Sequence, residues 1–190
     1  RGKLPLALQV LRAEYKRGDR WLVYCDDSGQ LDAVARILRG AEFPVYEYHS
    51  AMEGSRVATM TAFSTHGGIL VAIKCLDEGV DIPSVNRALI LASSANPREF
   101  IQRRGRVLRV APDKLSAAIH DALVLPESSG AQGEEGVRSF VRSDLARALE
   151  FARYARNTAV STELRLWSAE LGLVTGDLTS GSYEQEEPNA

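Results

Sequence analysis

The residues best suited to chemistry in this sequence form a basic run from Gln102 to Arg109. Arg103, Arg106 and Arg109 recur at every third position, so a helix would place them on roughly one side. Permanent cations this close repel one another unless an anion lies between them. The planar guanidinium group donates paired hydrogen bonds to phosphate oxygens. The run therefore indicates a phosphate site, with a solvated basic helix face as the alternative.

A second segment, residues 69–83, joins an apolar run to an acidic turn. Gly79 permits a positive φ or a close approach of backbone to a ligand. Asp81 could accept a hydrogen bond from a ribose hydroxyl or orient an arginine; the alternative is an aspartate that caps a helix. Each motif alone is moderate support for a nucleotide site, and the two together are stronger.

Short apolar runs alternate along the chain with segments of helical periodicity. The predicted strands are Trp21–Cys25, Val45–His49, Ile69–Ile73, Arg87–Ala92 and Ala118–Leu125. The predicted helices among them are Lys3–Arg17, Leu31–Leu38, Ser55–Phe63 and Pro97–Val107. This alternation predicts an α/β fold, with a parallel sheet covered by helices on both faces. Ligands of such sheets bind at the carboxyl ends of the strands.

The last third of the chain has a different organisation. Residues 127–136 are polar and rich in glycine and serine, which predicts a linker after a domain of residues 1–126. Helical periodicity over Val137–Tyr154 and Ser161–Leu171 predicts a helical extension, residues 137–171. Residues 172–190 are polar and are predicted to form a weakly ordered tail.

Residues 21–126 resemble the second RecA-like domain of superfamily 2 helicases. Leu22–Cys25 is similar to the motif IV strand of that family, and His49–Ala51 to the segment that follows. Gly79 and Asp81 match motif V, and the basic run that begins at Gln102 matches motif VI, the most specific part of the resemblance. The fold it implies is a RecA-like parallel sheet, here followed by a C-terminal helical extension.

The resemblance also implies a role for each matching residue. Arg106 and Arg109 match arginine fingers that reach the γ-phosphate of ATP across a cleft between two domains, and such fingers accelerate hydrolysis by about 10³–10⁵. The residues implied to hold the nucleotide are Gly79, Asp81, Gln102 and Arg103. The nucleic acid would contact the loops after His49 and Ile73, through Ser50 and Lys74.

The sequence contains neither a G-x-x-x-x-G-K-[ST] phosphate loop nor a D-E-x-[DH] motif for magnesium. We therefore expect an N-terminal RecA-like domain of the same parent chain, upstream of Arg1, to bind ATP and Mg²⁺. This chain alone should hydrolyse no ATP. The whole would be an ATP-dependent helicase or translocase.

Two departures from the RNA-handling DEAD-box pattern favour DNA over RNA as the nucleic acid. Ile73 stands where those proteins usually have threonine, and Gln102 where they usually have histidine. The string IKCLDEGVD is closer to motors of DNA repair and of restriction systems. The sequence leaves open whether the parent unwinds duplexes or only translocates.

The net charge, the cysteine content and the lengths of the apolar runs narrow the class of protein further. With 190 residues and a net charge of −2, the chain is not the strongly basic protein that binds nucleic acid over its whole surface. Two cysteines give no disulfide framework, which favours an intracellular, cytoplasmic protein, nucleoid-associated if bacterial. No apolar run reaches the roughly 20 residues of a membrane span. The alternatives are a partner-binding scaffold on a degenerate motor domain, or an unrelated α/β enzyme with a phosphate-binding arginine cluster.

Overall fold

The computed structural model describes residues 2–73, 85–92, 116–123 and 135–173. The chain divides into two compact units, residues 1–122 and 123–190. We call the first the sheet unit. The two helices of the second unit are called the helical pair.

The sheet unit is built on five strands in the order β2-β3-β1-β4-β5. They are β1 (Arg20–Tyr24), β2 (Val45–Tyr48), β3 (Gly68–Ala72), β4 (Arg87–Ile90) and β5 (Ala118–Asp121). All adjacent pairs are parallel, and Leu22 of β1 lies between Leu70 and Ala88. The predicted parallel α/β sheet is confirmed, and the fold is RecA-like.

Helices cover both faces of this sheet. They are α1 (Lys3–Glu14), α2 (Ser28–Gly40) and α3 (Arg56–His66). The chain crosses the sheet in one direction through α2 and returns in the other through α3, so right-handed crossovers require opposite faces. Side-chain packing agrees, because Val23 packs in one core with Leu31 of α2, whereas Tyr46 meets Phe63 of α3 at a ring distance of 5.9 Å.

Helix α1 ends at Glu14, earlier than the predicted Arg17. Tyr15 is extended, with ψ of 131°, and its ring packs edge-on against Phe43 at 5.4 Å. The Lys16 backbone N–H then donates to the Asp19 carboxylate at 3.0 Å and forms a turn. The apolar spacing of the sequence includes Tyr15 because its ring packs against Phe43. Periodicity alone does not distinguish this contact from packing of a residue on a helix face.

The helical pair consists of α4 (Glu135–Tyr154) and α5 (Thr158–Glu170). Its core is small and contains Val141, Leu145, Ala148, Ala152, Leu164 and Leu173. Asp144 and Arg147 are buried beside it and form an ion pair of 2.7 Å. Within the described ranges, no helix is both long and apolar enough to cross a bilayer. The predicted helix Pro97–Val107 and most of the predicted linker and tail lie outside the described residues.

Candidate functional site

The carboxyl ends of the five described strands form one edge of the sheet, because the strands are all parallel. The chain leaves β1 towards β2 and leaves β4 towards β5, in opposite directions. A crevice for a ligand is expected where neighbouring connections diverge in this way. Lys3 donates from its ammonium group to the Leu91 carbonyl, just after β4, at 2.7 Å and ties α1 to this edge.

The loop after β1 begins the next helix with two carboxylates. Asp27 accepts a hydrogen bond from the Gln30 backbone N–H at 2.7 Å, and the Gln30 side chain accepts one from the Asp26 N–H at 2.7 Å. The first bond caps α2 through its N-cap residue Asp27, and the second ties the residue before the cap to the side chain of the same Gln30. Since the Asp27 carboxylate already satisfies the N-terminus of α2, that helix end disfavours a bound phosphate.

The loop after β2 is held by a single arginine. Arg56, at the start of α3, donates to the Ser50 carbonyl at 3.1 Å, and its guanidinium lies 6.0 Å from the Tyr48 ring centre. Ser55 caps α3 by accepting from the Ala58 N–H at 3.3 Å. The Ser50 side chain is exposed to solvent. The loop therefore presents a hydroxyl on a backbone that two interactions fix in place.

Cys25 follows β1 directly and is buried at this edge, with 1% of its surface exposed. Its N–H donates to the Ala72 carbonyl at 2.8 Å. Burial, and then the charges of Asp27 and Asp26, raise the pKa of its thiol to about 12. The thiol is therefore neutral and unreactive at pH 7, as expected for a core cysteine.

Of the predicted site residues, Ser50 lies within the described chain, at the carboxyl edge. The others lie outside it: Lys74, Gly79, Asp81, Gln102, Arg103, Arg106 and Arg109. Ile73 and Ala92, the described residues that precede two of these segments, both lie at the carboxyl edge. The described residues contain no group of three histidine, cysteine or acidic side chains that could hold a metal.

Sequence reasoning missed the contact between Arg56 and the Ser50 carbonyl. The sequence held a partial signal, because an arginine follows the capping Ser55 and a loop precedes it. Periodicity, however, does not tell which carbonyl a long side chain reaches. It also missed the pairing of Glu47 with Arg39, although Arg39 directly follows the predicted helix Leu31–Leu38 and Glu47 lies on the next predicted strand.

The sequence model of the helicase conserved C-terminal domain matches residues 2–111. That range covers more than half of the chain and includes both motifs. The chain therefore belongs to the helicase C-terminal domain family, which is found in superfamily 2 helicases.

Similar curated proteins have both kinds of nucleic acid in their names. DEAD-box ATP-dependent RNA helicase 22 of Arabidopsis thaliana is 29% identical over 92 residues, which are 48% of this chain and 16% of that protein. DNA 3'-5' translocase XPB2 of Sulfurisphaera tokodaii is 28% identical over 102 residues, 54% of this chain and 22% of that protein. The chain thus spans less than a quarter of the length of either relative.

Solved structures agree on the fold. The C-terminal part of the Fun30 ATPase domain superposes with a TM-score of 0.60 at 15% identity, covering 89% of this chain and 54% of that one. The C-terminal domain of the DEAD-box protein Dbp5 superposes with a TM-score of 0.56 at 18% identity, covering 80% of each chain. At these identities the likeness concerns the fold alone.

Proposed function

We propose that this chain is the C-terminal motor half of an ATP-dependent nucleic-acid helicase or translocase. The observation that carries the proposal is the family match over residues 2–111, which contains the whole basic run with Arg103, Arg106 and Arg109. A scaffold without ATP-linked work has no need of three regularly spaced arginines together with the Gly79 and Asp81 of the other motif. The RecA-like sheet supports the proposal, since its carboxyl edge carries Ile73 and Ala92, which lead towards both motifs.

In this proposal, Arg106 and Arg109 neutralise charge that develops on the γ-phosphoryl group during hydrolysis. Gln102 and Arg103 position the nucleotide, and Gly79 with Asp81 line the ribose side. An N-terminal RecA-like domain of the parent chain supplies the phosphate loop and the ligands of Mg²⁺. Hydrolysis then requires both domains to close, which couples chemistry to motion.

The nucleic acid is proposed to run along the carboxyl edge, past Ser50 and Lys74. Ser50 supports this because its exposed hydroxyl lies on a loop that Arg56 holds in place. The capped N-terminus of α2, with Asp26 and Asp27, disfavours a phosphate at the neighbouring loop. The path is therefore expected to pass the β2 and β3 loops and to avoid the start of α2.

We propose DNA as the substrate, on the ground of Ile73 and Gln102 and of the string IKCLDEGVD. RNA is the second candidate, because most of the similar curated proteins are named RNA helicases. The proposed motor activity is the same for both candidates, which differ only in the nucleic acid that stimulates ATP hydrolysis.

The test measures ATP hydrolysis by the parent protein with single-stranded DNA, duplex DNA or RNA added in parallel. Arg106→Ala should reduce stimulated hydrolysis by about 10³ while the folded structure persists. Arg142→Ala, at an exposed arginine of α4, is the matched control and should keep its rate. Unchanged hydrolysis in Arg106→Ala would rule out the arginine-finger assignment.

The same assay decides the nucleic acid. Stimulation by DNA alone establishes a DNA motor. Stimulation by RNA alone makes RNA the substrate and leaves the proposal of a motor half unchanged. Ser50→Asp should raise the concentration of nucleic acid needed for half-maximal stimulation and leave the unstimulated rate unchanged. If the parent protein hydrolyses no ATP with any of the three nucleic acids, the partner-binding scaffold becomes the better interpretation.

A further inference from the structure

We propose that the outer edge of β2, as the described sheet presents it, binds an extended, basic segment of a partner protein by strand addition. β2 is an outer strand of the described sheet, with β3 on its inner side. An outer strand offers backbone hydrogen-bonding groups to any chain that lies beside it.

The backbone of β2 has a defined outward side. The Pro44 carbonyl accepts from the Ile69 N–H at 2.8 Å, so it points towards β3. In a parallel pair, residues two apart direct their peptide groups to the same side. The peptide groups of Tyr46 therefore also point towards β3. The N–H and C=O groups of Val45 and Glu47 point the other way, outward in the plane of the sheet.

A groove of about 480 Å³ follows this edge. Its walls come from α2, from β2 with the loop after it, and from α3. The residues that matter for recognition are Asp32, Val45, Glu47, His49, Met52 and Glu53. The volume falls within the usual range of about 300–1,000 Å³ for ligand pockets. The groove thus has room for side chains as well as an edge for backbone pairing.

The charges of the groove select the occupant. Glu47 already pairs with Arg39, and its second oxygen lies 3.7 Å from His49 Nε2. Asp32 and Glu53 are exposed and have no ion pair among the described residues. These two carboxylates remain available for ion pairs, which favours lysine or arginine in the added segment. Val45 and Met52 supply apolar contacts for the alternate side chains of the added strand.

The experiment records amide chemical shifts of the isotopically labelled 190-residue chain during titration with an acetylated and amidated peptide, Val-Lys-Val-Lys-Val-Lys, at low salt. We expect the amides of Val45 and Glu47 to shift. Asp32→Asn combined with Glu53→Gln should weaken binding about three- to tenfold, as two exposed ion pairs would. Glu163→Gln, at an exposed carboxylate of α5, is the matched control and should bind as the original chain does.

Three outcomes would overturn the proposal. The first is the absence of shifts at Val45 and Glu47. The second is equal binding of the same peptide with glutamate in place of lysine. The third is binding of a single-stranded oligonucleotide to those amides, which would make the edge part of the nucleic-acid path. None of these measurements involves ATP, so the result is independent of the proposed motor activity.

Discussion

The sheet unit and the helical pair bury their side chains in different ways. In the sheet unit, β1 and β3 are buried on both faces, and large side chains such as Trp21 and Phe63 are fully enclosed. The core of the helical pair is small, and an ion pair of Asp144 and Arg147 is buried beside it. The family match, residues 2–111, falls in the sheet unit.

This difference has a physical cause. A parallel sheet with helices on both faces hides whole apolar strands, so backbone fit and packing dominate its stability. Two helices share one interface and bury less apolar surface. Removing two charges from water is costly, so a buried pair stabilises only while both partners are present. The sheet unit should therefore be sensitive to steric overlap, and the helical pair to the loss of one charge.

The largest effect is expected for Gly67→Ala. Gly67 has a φ of +73°, and a Cβ there would lie 2.6 Å from the Gly18 carbonyl oxygen and 2.9 Å from that of Asp19. Backbone atoms cannot move aside cheaply, so the free energy of unfolding should fall by more than about 4 kcal/mol. Gly54→Ala is the control, with φ of +90° and nothing within 4 Å of the added atom. Urea denaturation compares them, and equal losses would contradict the overlap.

A smaller loss is expected for Asp144→Ala in α4. Arg147 would keep its charge in a buried position without the carboxylate 2.7 Å away, which costs about 3 kcal/mol. Amide hydrogen exchange of α4 and α5 measures this loss locally. Replacing both residues, Asp144→Leu with Arg147→Met, should recover at least half of the protection. A double variant no more protected than the single one would contradict the charge argument.

The buried thiol gives the sheet unit a stability that decreases at alkaline pH. The pKa of Cys25 is raised from 9.0 to about 12 in the folded chain, so the unfolded chain ionises first. The contribution is complete below pH 9 and is lost as pH rises towards 12, at about 1.4 kcal/mol per pH unit. Urea denaturation at two pH values in this window should show a steeper decline than in Cys25→Ala. If the free energy of unfolding fell equally with pH in both proteins, Cys25 would not be the cause.

The smallest predicted change in stability comes from helix capping, which differs between the two units. Asp27 accepts a hydrogen bond at the start of α2, whereas Asn157 at the start of α5 makes no side-chain cap bond. Asp27→Ala should therefore cost about 1 kcal/mol. Asn157→Ala should cost markedly less, because no bond is lost. Thermal denaturation of both variants gives the comparison, and equal costs would show that the side-chain bond of Asp27 contributes little.

Much of the sheet unit could be predicted from local patterns. The run Trp21–Cys25 indicated a buried strand, and β1 covers Arg20–Tyr24. The cap of the helix after it is equally local, because Asp27 has its partner Gln30 only three positions away. The predicted end of α1 was wrong, because the actual end depends on a contact between Tyr15 and the distant Phe43. The roles of the basic run and of Gly79 and Asp81 remain predictions.

The sequence by itself determined the alternation of strands and helices, the helix caps and the spacing of Arg103, Arg106 and Arg109, because these depend on residues close together in the chain. Only the tertiary structure decided which strand lies at the edge of the described sheet, which carbonyl Arg56 holds, and that Asp144 is buried with Arg147. Strand order and burial arise from contacts between distant segments. Hydrophobic periodicity specifies which side of an element is apolar, and packing alone specifies what that side meets.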